Sequence, residues 1–177
     1  MTKTNKLNLI CISIIAILAY LLNQCMAVYQ CAAMFTAVIL TVNTFTFTER
    51  NTQKYNYLVL SITASLPVYL LTGSLFNLLT ITSLASLLIS GIASIYVANK
   101  LKNTHSRSIA LFISLLVAAI VDGLLMSSYF SMQTNFSFTK IINIFNRELF
   151  FKSVYGAVSA LIIYSLGIYE QRKSKMV

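Results

Sequence analysis

The sequence predicts an all-α integral membrane protein, a bundle of about six transmembrane helices with both termini in the cytoplasm. Composition is the first observation behind this class: hydrophobic residues make up 58% of the 177 residues and charged residues only 10%. A soluble chain of this length would leave too much apolar surface uncovered by charge. The apolar residues also fall in runs of span length. Clusters of basic residues beside those runs indicate their orientation.

Six apolar runs, found in windows of about 19 residues, define the expected spans. Each is close to the roughly 20 residues that cross a hydrocarbon core of about 30 Å. The runs cover residues 7–22, 26–47, 57–75, 78–98, 108–130 and 150–169. They take up most of the chain, which predicts a single transmembrane domain over residues 1–177. The break between the third and fourth runs, around Gly73 to Asn77, is indicated only by Thr72, Gly73, Ser74 and Asn77. A five-span bundle that merges or drops a segment is therefore the alternative.

The first run could be mistaken for a secretory signal, because Lys3 and Lys6 precede it. The apolar character resumes almost at once after Asn23 and Gln24, however, and the residues there make a poor small-residue cleavage site. A short hairpin between two spans fits this pattern better. We therefore expect the first run to remain in the protein as its first span.

Basic residues give the chain a formal charge of +9, and they stand in short clusters beside the span ends. Four clusters fall on one side of a six-span bundle: Lys3 and Lys6; Arg50 and Lys54; Lys100, Lys102 and Arg107; and Arg172, Lys173 and Lys175. The opposite side receives the segment from Ser131 to Lys152. The positive-inside rule then predicts cytoplasmic termini. Separate clusters are unlike the continuous patch of a nucleic-acid surface, so the lipid bilayer is the expected partner and nucleic acid is not.

Motifs for metal binding and catalysis are missing from the sequence. Cys11, Cys25 and Cys31 have no metal-ligand spacing, and His105, the single histidine, lies in a basic loop. The sequence has no glycine-rich phosphate loop, no paired histidines on a helix and no nucleophile elbow. A multi-carboxylate site is hard to build from four acidic residues. We therefore expect no enzyme activity, no metal and no cofactor.

Asp122 is the first candidate functional residue, because it stands alone in the apolar run from Ser108 to Phe130. A carboxylate at hydrocarbon depth costs several kcal/mol unless it meets a partner or a water-filled cavity. Such residues usually mark a functional site. The alternative is an inert buried carboxylate that a neighbouring Ser, Asn or Lys satisfies.

Lys152 is the second candidate, at the start of the sixth run. Glu148 precedes it by four residues, which puts both on one helical face in the order that favours an ion pair. One interpretation is a solvated pair that reaches the membrane surface. The other turns Lys152 inward toward Asp122, where each charge would offset the burial of the other and a polar ligand could intervene.

Polar residues also fill the end of the second run, where Asn43 lies among threonines. Thr41, Thr44 and Thr48 share one helical face. Hydroxyl groups on one face serve as hydrogen bonds between helices or as contacts to a ligand in a cavity. The stretch from Asn43 to Thr48 also alternates polar and aromatic residues, so local unwinding, as in the binding segments of transporters, is a further expectation.

Three segments together resemble a known family. They are SLASLLISGIASIYVANKLK from Ser83 to Lys102, VDGLLMSSYF with Asp122, and ELFFKSVYGAVSALIIY with Lys152. The chain resembles, over roughly residues 41–164, the vitamin uptake transporter family, whose best-understood members import queuosine precursors. That family is a bacterial and archaeal group of about six helices. The resemblance implies a multi-pass protein of the inner (plasma) membrane.

The resemblance implies import of a small polar heterocycle, a queuosine precursor of the 7-deazaguanine type or a vitamin-like compound. The residues implied to bind this substrate are Asp122, Lys152, Asn43 and Glu49. Asp122 would accept hydrogen bonds from amino or ring N–H groups near the midplane. Tyr129 and Phe130 would stack on the flat ring, or anchor a helix end at the membrane interface.

Four positions depart from the family's pattern: Phe45, Thr52, Gly91 and Ala160 replace an aspartate, a glycine, a glutamine and a proline. Two other functions therefore stay open. One is a substrate-binding membrane subunit of a larger uptake complex, and the other is a degenerate structural relative that does not transport. The sequence shows no nucleotide-binding site, so movement of the substrate would be facilitated diffusion or would need a separate energy-coupling subunit. A second copy of the chain is the other expected protein partner.

Overall fold

The computed structural model describes the backbone of most of the chain. The described ranges are residues 3–24, 27–48, 54–71 and 77–174. Side chains are described within these ranges except at residues 3–8, 45–48, 54–57, 68 and 168–174.

Six α-helices account for nearly all of the described residues. They are α1 (Lys3–Gln24), α2 (Val28–Thr48), α3 (Lys54–Leu71), α4 (Leu78–Leu101), α5 (Arg107–Ser131) and α6 (Phe138–Ser174). No strand occurs within the described ranges. Helices satisfy their own backbone hydrogen bonds, which an apolar surrounding requires. The prediction of an all-α protein is confirmed.

Three helices are long and apolar enough to cross a membrane: α4, α5 and the stretch Phe138–Gly167 of α6. In the other three helices the apolar stretches with described side chains are shorter. These stretches are Leu9–Gln24, Val28–Thr44 and Leu58–Leu71. By length and composition, three of the described helices are therefore those of a membrane protein.

The third and fourth apolar runs form two helices rather than one. α3 ends at Leu71, and α4 begins at Leu78 after the N-cap residue Asn77. The Asn77 side-chain oxygen accepts a hydrogen bond from the N–H of Leu79 at 3.0 Å, which satisfies a free donor of the first turn. The end predicted for the third run, residue 75, lies outside the described residues.

The sixth helix begins three turns earlier than the sequence analysis predicted. α6 starts at Phe138 rather than at residue 150, so the segment from Ser131 to Lys152 is mostly helix and not an external connection. Its first turns are amphipathic: Ile141 is buried while Lys140 and Arg147 are exposed. A hydropathy window averages over both faces and therefore misses such turns. Lys152 consequently lies inside the bundle and not on its outer side.

α2 is the central helix, because it packs against each of the other five. Its buried face carries apolar side chains, among them Phe35, Val38, Ile39 and Val42. These belong to one core cluster that also draws residues from α1, α3, α4 and α5, with Leu149 of α6 packed against it. The burial of this face against the other five described helices stabilises the bundle.

α4 and α5 carry small residues on their buried faces. The buried ones are Ser86, Ser90, Gly91, Ser94 and Ala98 on α4, and Ala110, Ser114, Ala118 and Ala119 on α5. Ser86 and Ser94 donate hydrogen bonds to α5. Small side chains let helix backbones approach closely, which is the main source of helix association where no hydrophobic driving force separates protein from lipid. The close approach also puts short serine side chains of α4 within reach of polar groups on α5 and α2.

α1 and α3 are joined by a buried tyrosine. The Tyr69 hydroxyl donates a hydrogen bond to the carbonyl of Ala19 at 2.8 Å and accepts one from Nδ2 of Asn23, also at 2.8 Å. The ring of Tyr69 packs at a tilt against Tyr20, with centroids 5.4 Å apart. These contacts fix the end of α1 where Asn23 lies.

We expect Gly123 to be required for the approach of α6 to α5. A β-carbon added at Gly123 would lie 2.6 Å from Cε2 of Phe145, whereas one added at Gly167 would have no heavy atom within 4 Å. Replacing either glycine by alanine gains helix propensity of up to about 1 kcal/mol. Overpacking at Gly123 costs about 1–3 kcal/mol.

Thermal unfolding of the purified protein in detergent tests this expectation. Gly123→Ala should unfold at a lower temperature than the matched variant Gly167→Ala, because the propensity gain cancels between the two. Equal unfolding temperatures for the two variants would contradict the close contact between Gly123 and Phe145.

Candidate functional site

A buried group of three charged residues lies between α5 and α6. The Lys152 ammonium donates to Oδ2 of Asp122 at 2.6 Å and to Oε2 of Glu148 at 3.0 Å. Lys152 is only 2% exposed. The interpretation that turns Lys152 inward toward Asp122 is therefore confirmed, and the solvated pair at the membrane surface is wrong, although Lys152 still pairs with Glu148. We call Asp122, Glu148 and Lys152 the ion triad.

Three helices position the ion triad. α5 carries Asp122, and α6 carries Glu148 and Lys152 one turn apart. α4 contributes Ser86, whose hydroxyl donates to Oδ1 of Asp122 at 2.6 Å. Both oxygens of Asp122 therefore accept a hydrogen bond. The sequence analysis missed Ser86 as a partner of Asp122. The sequence pattern that could have indicated Ser86 is the series of serines at helical spacing on α4, which puts them on one face of that helix.

Phe35 of α2 completes the surroundings of Lys152. The Lys152 ammonium lies 4.3 Å from the centroid of the Phe35 ring, within the range of a cation–π interaction. A lysine ammonium has three N–H groups, and Lys152 directs two hydrogen bonds to the carboxylates while the ring covers the ammonium. Residues of the chain itself thus satisfy Lys152.

Asp122 and Glu148 line a half-open cavity of about 300 Å³, whose walls come from α1, α2, α4, α5, α6 and the α5–α6 connection. This volume is at the lower end of the range for small-molecule sites, about 300–1,000 Å³. Asn23 and Ser83 add uncharged polar groups to the walls. The other lining residues are mostly apolar. An apolar cavity with a few convergent polar groups is typical of a ligand site.

One wall of the cavity is aromatic. The rings of Phe130 and Phe136 stack with centroids 4.9 Å apart and an angle of 27° between their planes, and both residues line the cavity. Of the two aromatic residues that the sequence analysis named, Phe130 contributes to this wall. Tyr129 packs edge-on against Phe130 at 5.5 Å. Phe136 was missed, because it lies in the short connection between α5 and α6.

Asn43 lies apart from the ion triad. Its Nδ2 donates to Oγ of Ser94 at 2.7 Å and to Oγ of Ser114 at 2.9 Å. Ser114 and Asp122 are eight residues apart on α5, which is about 12 Å along a helix. Asn43 is fully buried, and its Oδ1 has no hydrogen-bond partner within the described part of the chain. Asn43, Ser94 and Ser114 form a second polar layer that joins α2, α4 and α5.

The threonines of α2 bond to their own helix. The hydroxyls of Thr41 and Thr44 donate to the carbonyls of Ala37 and Leu40, at 2.7 and 2.8 Å. α2 remains helical through Thr48, so the expected unwinding of this stretch is wrong. Thr46 and Thr48 have no described side chains, and Glu49 lies outside the described residues. Hydroxyl groups that bond to the preceding turn allow polar residues to remain in a continuous helix.

Comparisons with protein-family models, with curated proteins and with solved structures gave no match. The resemblance to the vitamin uptake transporter family therefore stays a prediction. The function has to be inferred from the cavity and the ion triad themselves.

The balance of charge in the ion triad should dominate the stability of the bundle. Lys152→Met leaves two carboxylates without their cation, and removing one partner from a buried ion pair costs about 3–5 kcal/mol. Asp122→Asn should cost less, because Lys152 keeps Glu148. The double variant Asp122→Asn/Lys152→Met leaves only the half-buried Glu148 and should recover part of the stability that Lys152→Met loses.

Thermal unfolding in detergent, with the exposed residue Lys100 changed to Met as the matched control, measures these differences. Lys100→Met should unfold at the wild-type temperature. A double variant no more stable than Lys152→Met alone would show that the pair does not compensate charge as described.

Proposed function

We propose that the chain is a multi-pass transporter of the inner (plasma) membrane, with six spans and cytoplasmic termini, that imports a small polar heterocycle. The observation that carries this proposal is the ion triad, buried between helices and bordering a half-open cavity. Ionisable residues inside membrane segments usually mark a substrate or ion pathway, because their burial is too costly to keep without a use.

The direction of the cavity supports import. Residues near five helix ends line it, and Asn23 at the end of α1, Val28 at the start of α2 and Phe130 at the end of α5 are among them. In a six-span bundle with cytoplasmic termini, these ends all lie on the outer side. The cavity then opens toward the outside, where an importer first meets its substrate.

The depth of Asp122 supports a transport site. Asp122 lies nine residues before the end of α5 at Ser131, which is about 14 Å along a helix. With the end of α5 at the membrane surface, this distance is close to half of a hydrocarbon core of about 30 Å, which puts Asp122 near the midplane. Transporters hold their substrates near the midplane.

The chemistry of the cavity suits a flat ring with N–H groups. Carboxylate oxygens have more than one lone pair each, so Asp122 can accept further hydrogen bonds beside those from Ser86 and Lys152. The aromatic wall of Phe130 and Phe136 suits the face of a planar ring. A queuosine precursor of the 7-deazaguanine type, or a vitamin-like compound, has these features.

The predicted binding residues take different parts in this proposal. Asp122 contacts the substrate, and Lys152 holds the Asp122 carboxylate in place. Asn43 acts from the second polar layer, through the packing of α2 against α4 and α5. Glu49 remains a predicted contact outside the described residues.

Accessibility of two loop positions tests the proposed orientation. His105 and Asn135 are exposed and lie beyond opposite ends of α5. In a background without the three native cysteines, a membrane-impermeant maleimide added to intact cells should label Asn135→Cys and leave His105→Cys unlabelled until the membrane is permeabilised. The reverse pattern would invert the orientation and turn the cavity toward the cytoplasm.

Uptake of a labelled 7-deazaguanine precursor tests the proposed activity, in cells that lack their own transporter and make their own queuosine poorly. We expect Asp122→Asn to lower uptake by about tenfold or more, because a hydrogen bond to a charged group contributes about 1.5–3 kcal/mol. Ser128→Ala, an exposed change on the same helix, is the matched control and should keep uptake at matched membrane levels.

The outcomes separate the candidate functions. Full uptake by Asp122→Asn would remove Asp122 from the site. Absence of uptake by well-inserted wild type would exclude these substrates for the chain acting alone. Binding by the purified protein without uptake in cells would favour a substrate-binding subunit of a larger complex, whereas neither binding nor uptake would favour a structural relative that does not transport.

A further inference from the structure

Glu148 borders the cavity beside Asp122, although the sequence analysis did not count it among the binding residues. We propose that Glu148 is a specificity-determining residue that makes the cavity select heterocycles with a positive charge. The inference rests on the proposed function, since it names the class of substrate that the same cavity takes.

Glu148 uses only part of its hydrogen-bonding capacity inside the protein. Its Oε2 accepts from Lys152 at 3.0 Å, and no donor from the described residues bonds to Oε1. The side chain is 18% exposed, against 3% for Lys152. Since Glu148 lines the cavity, Oε1 is an acceptor that a bound molecule can reach.

The formal charge of the ion triad is −1 with both carboxylates ionised and Lys152 protonated. Both carboxylates line the cavity, whereas Lys152 is not part of the lining and its ammonium lies against the ring of Phe35. A molecule in the cavity therefore meets the negative side of the triad. Charges interact more strongly in such a partly enclosed apolar site than in water.

The basic residues of α6 with described side chains do not line this cavity. Lys140 and Arg147 line a neighbouring cavity beside the start of α2. The Lys140 ammonium lies 4.6 Å from the centroid of the Phe136 ring. Eight residues separate Lys140 from Glu148, about 12 Å along a helix. Within the described part of the chain, Asp122 and Glu148 are the acidic residues that line the cavity, and no basic residue lines it.

A planar cation satisfies all of these features at once. Its ring packs beside Phe130 and Phe136, while its ammonium, amidinium or guanidinium group donates to Oε1 of Glu148 and to Asp122. An uncharged ring of the same shape fills the same space but leaves the excess negative charge of the triad uncompensated. The cation should therefore bind more tightly than its neutral analogue.

Binding of matched probes to the full-length purified protein in lipid nanodiscs tests the inference. Benzamidine and benzamide have nearly the same shape and differ in charge, and 7-deazaguanines with an aminomethyl or a cyano group form a second pair on the proposed ring. In wild type the cationic member of a pair should bind about tenfold more tightly, as expected for one charged hydrogen bond. In Glu148→Gln this preference should fall to about threefold or less, through weaker binding of the cation.

Two further variants serve as controls. Glu170→Gln removes a carboxylate in the basic C-terminal tail and should keep the wild-type preference. Glu148→Asp keeps the negative charge and should retain most of the preference. This variant also separates an effect of charge from a loss of folding, if Glu148→Gln proves unstable.

Each result decides the inference. Wild type that binds both members of a pair equally, or prefers the neutral one, would overturn it while leaving the transport of a heterocycle intact. An unchanged preference in Glu148→Gln would assign the selection to other residues. No binding of any probe would remove the proposed function, and the inference with it.

Discussion

The hydrogen bonds from one ammonium to two carboxylates organise this bundle. Lys152 is buried with Asp122 and Glu148, so α5 and α6 cannot separate without exposing three charges to an apolar surrounding. The same contact aligns Asp122 with Ser86 of α4. The helix interface and the lining of the cavity are thus parts of one arrangement, in which removal of any charge disturbs both.

Small residues let the helices approach closely enough for these hydrogen bonds to form. Serine and asparagine have short side chains, and they can bond between helices only where the backbones come close. The contact of α4 with α5 meets this condition twice, at Ser86 with Asp122 and at Ser94 and Ser114 with Asn43. The first polar layer borders the cavity, and the second one lies in the core about two turns away. Hydrogen bonds from serine side chains therefore border the cavity at one level of α4 and α5 and join helices in the core at the other.

Much of the fold could be predicted from the sequence, because apolar runs and their polar breaks are local signals. The inward turn of Lys152 was one of two interpretations, since helical spacing puts Glu148 and Lys152 on one face without saying what that face meets. The early start of α6 and the aromatic wall at Phe136 were missed. The early start of α6 depends on which face of an amphipathic segment is buried, and the place of Phe136 depends on how the α5–α6 connection packs. Only tertiary packing decides either one. The bond from Ser86 to Asp122 likewise joins residues that are 36 positions apart.

The length of α6 has a mechanical consequence. A helix of 37 residues extends about 55 Å, nearly twice a hydrocarbon core of about 30 Å. Ile144 and Glu148 of this helix line the cavity, and Lys152 lies one turn beyond Glu148, outside the lining. The cavity wall and the buried ammonium therefore belong to one stiff helix. A change in its tilt would widen or narrow the opening and shift the buried ammonium in the same movement.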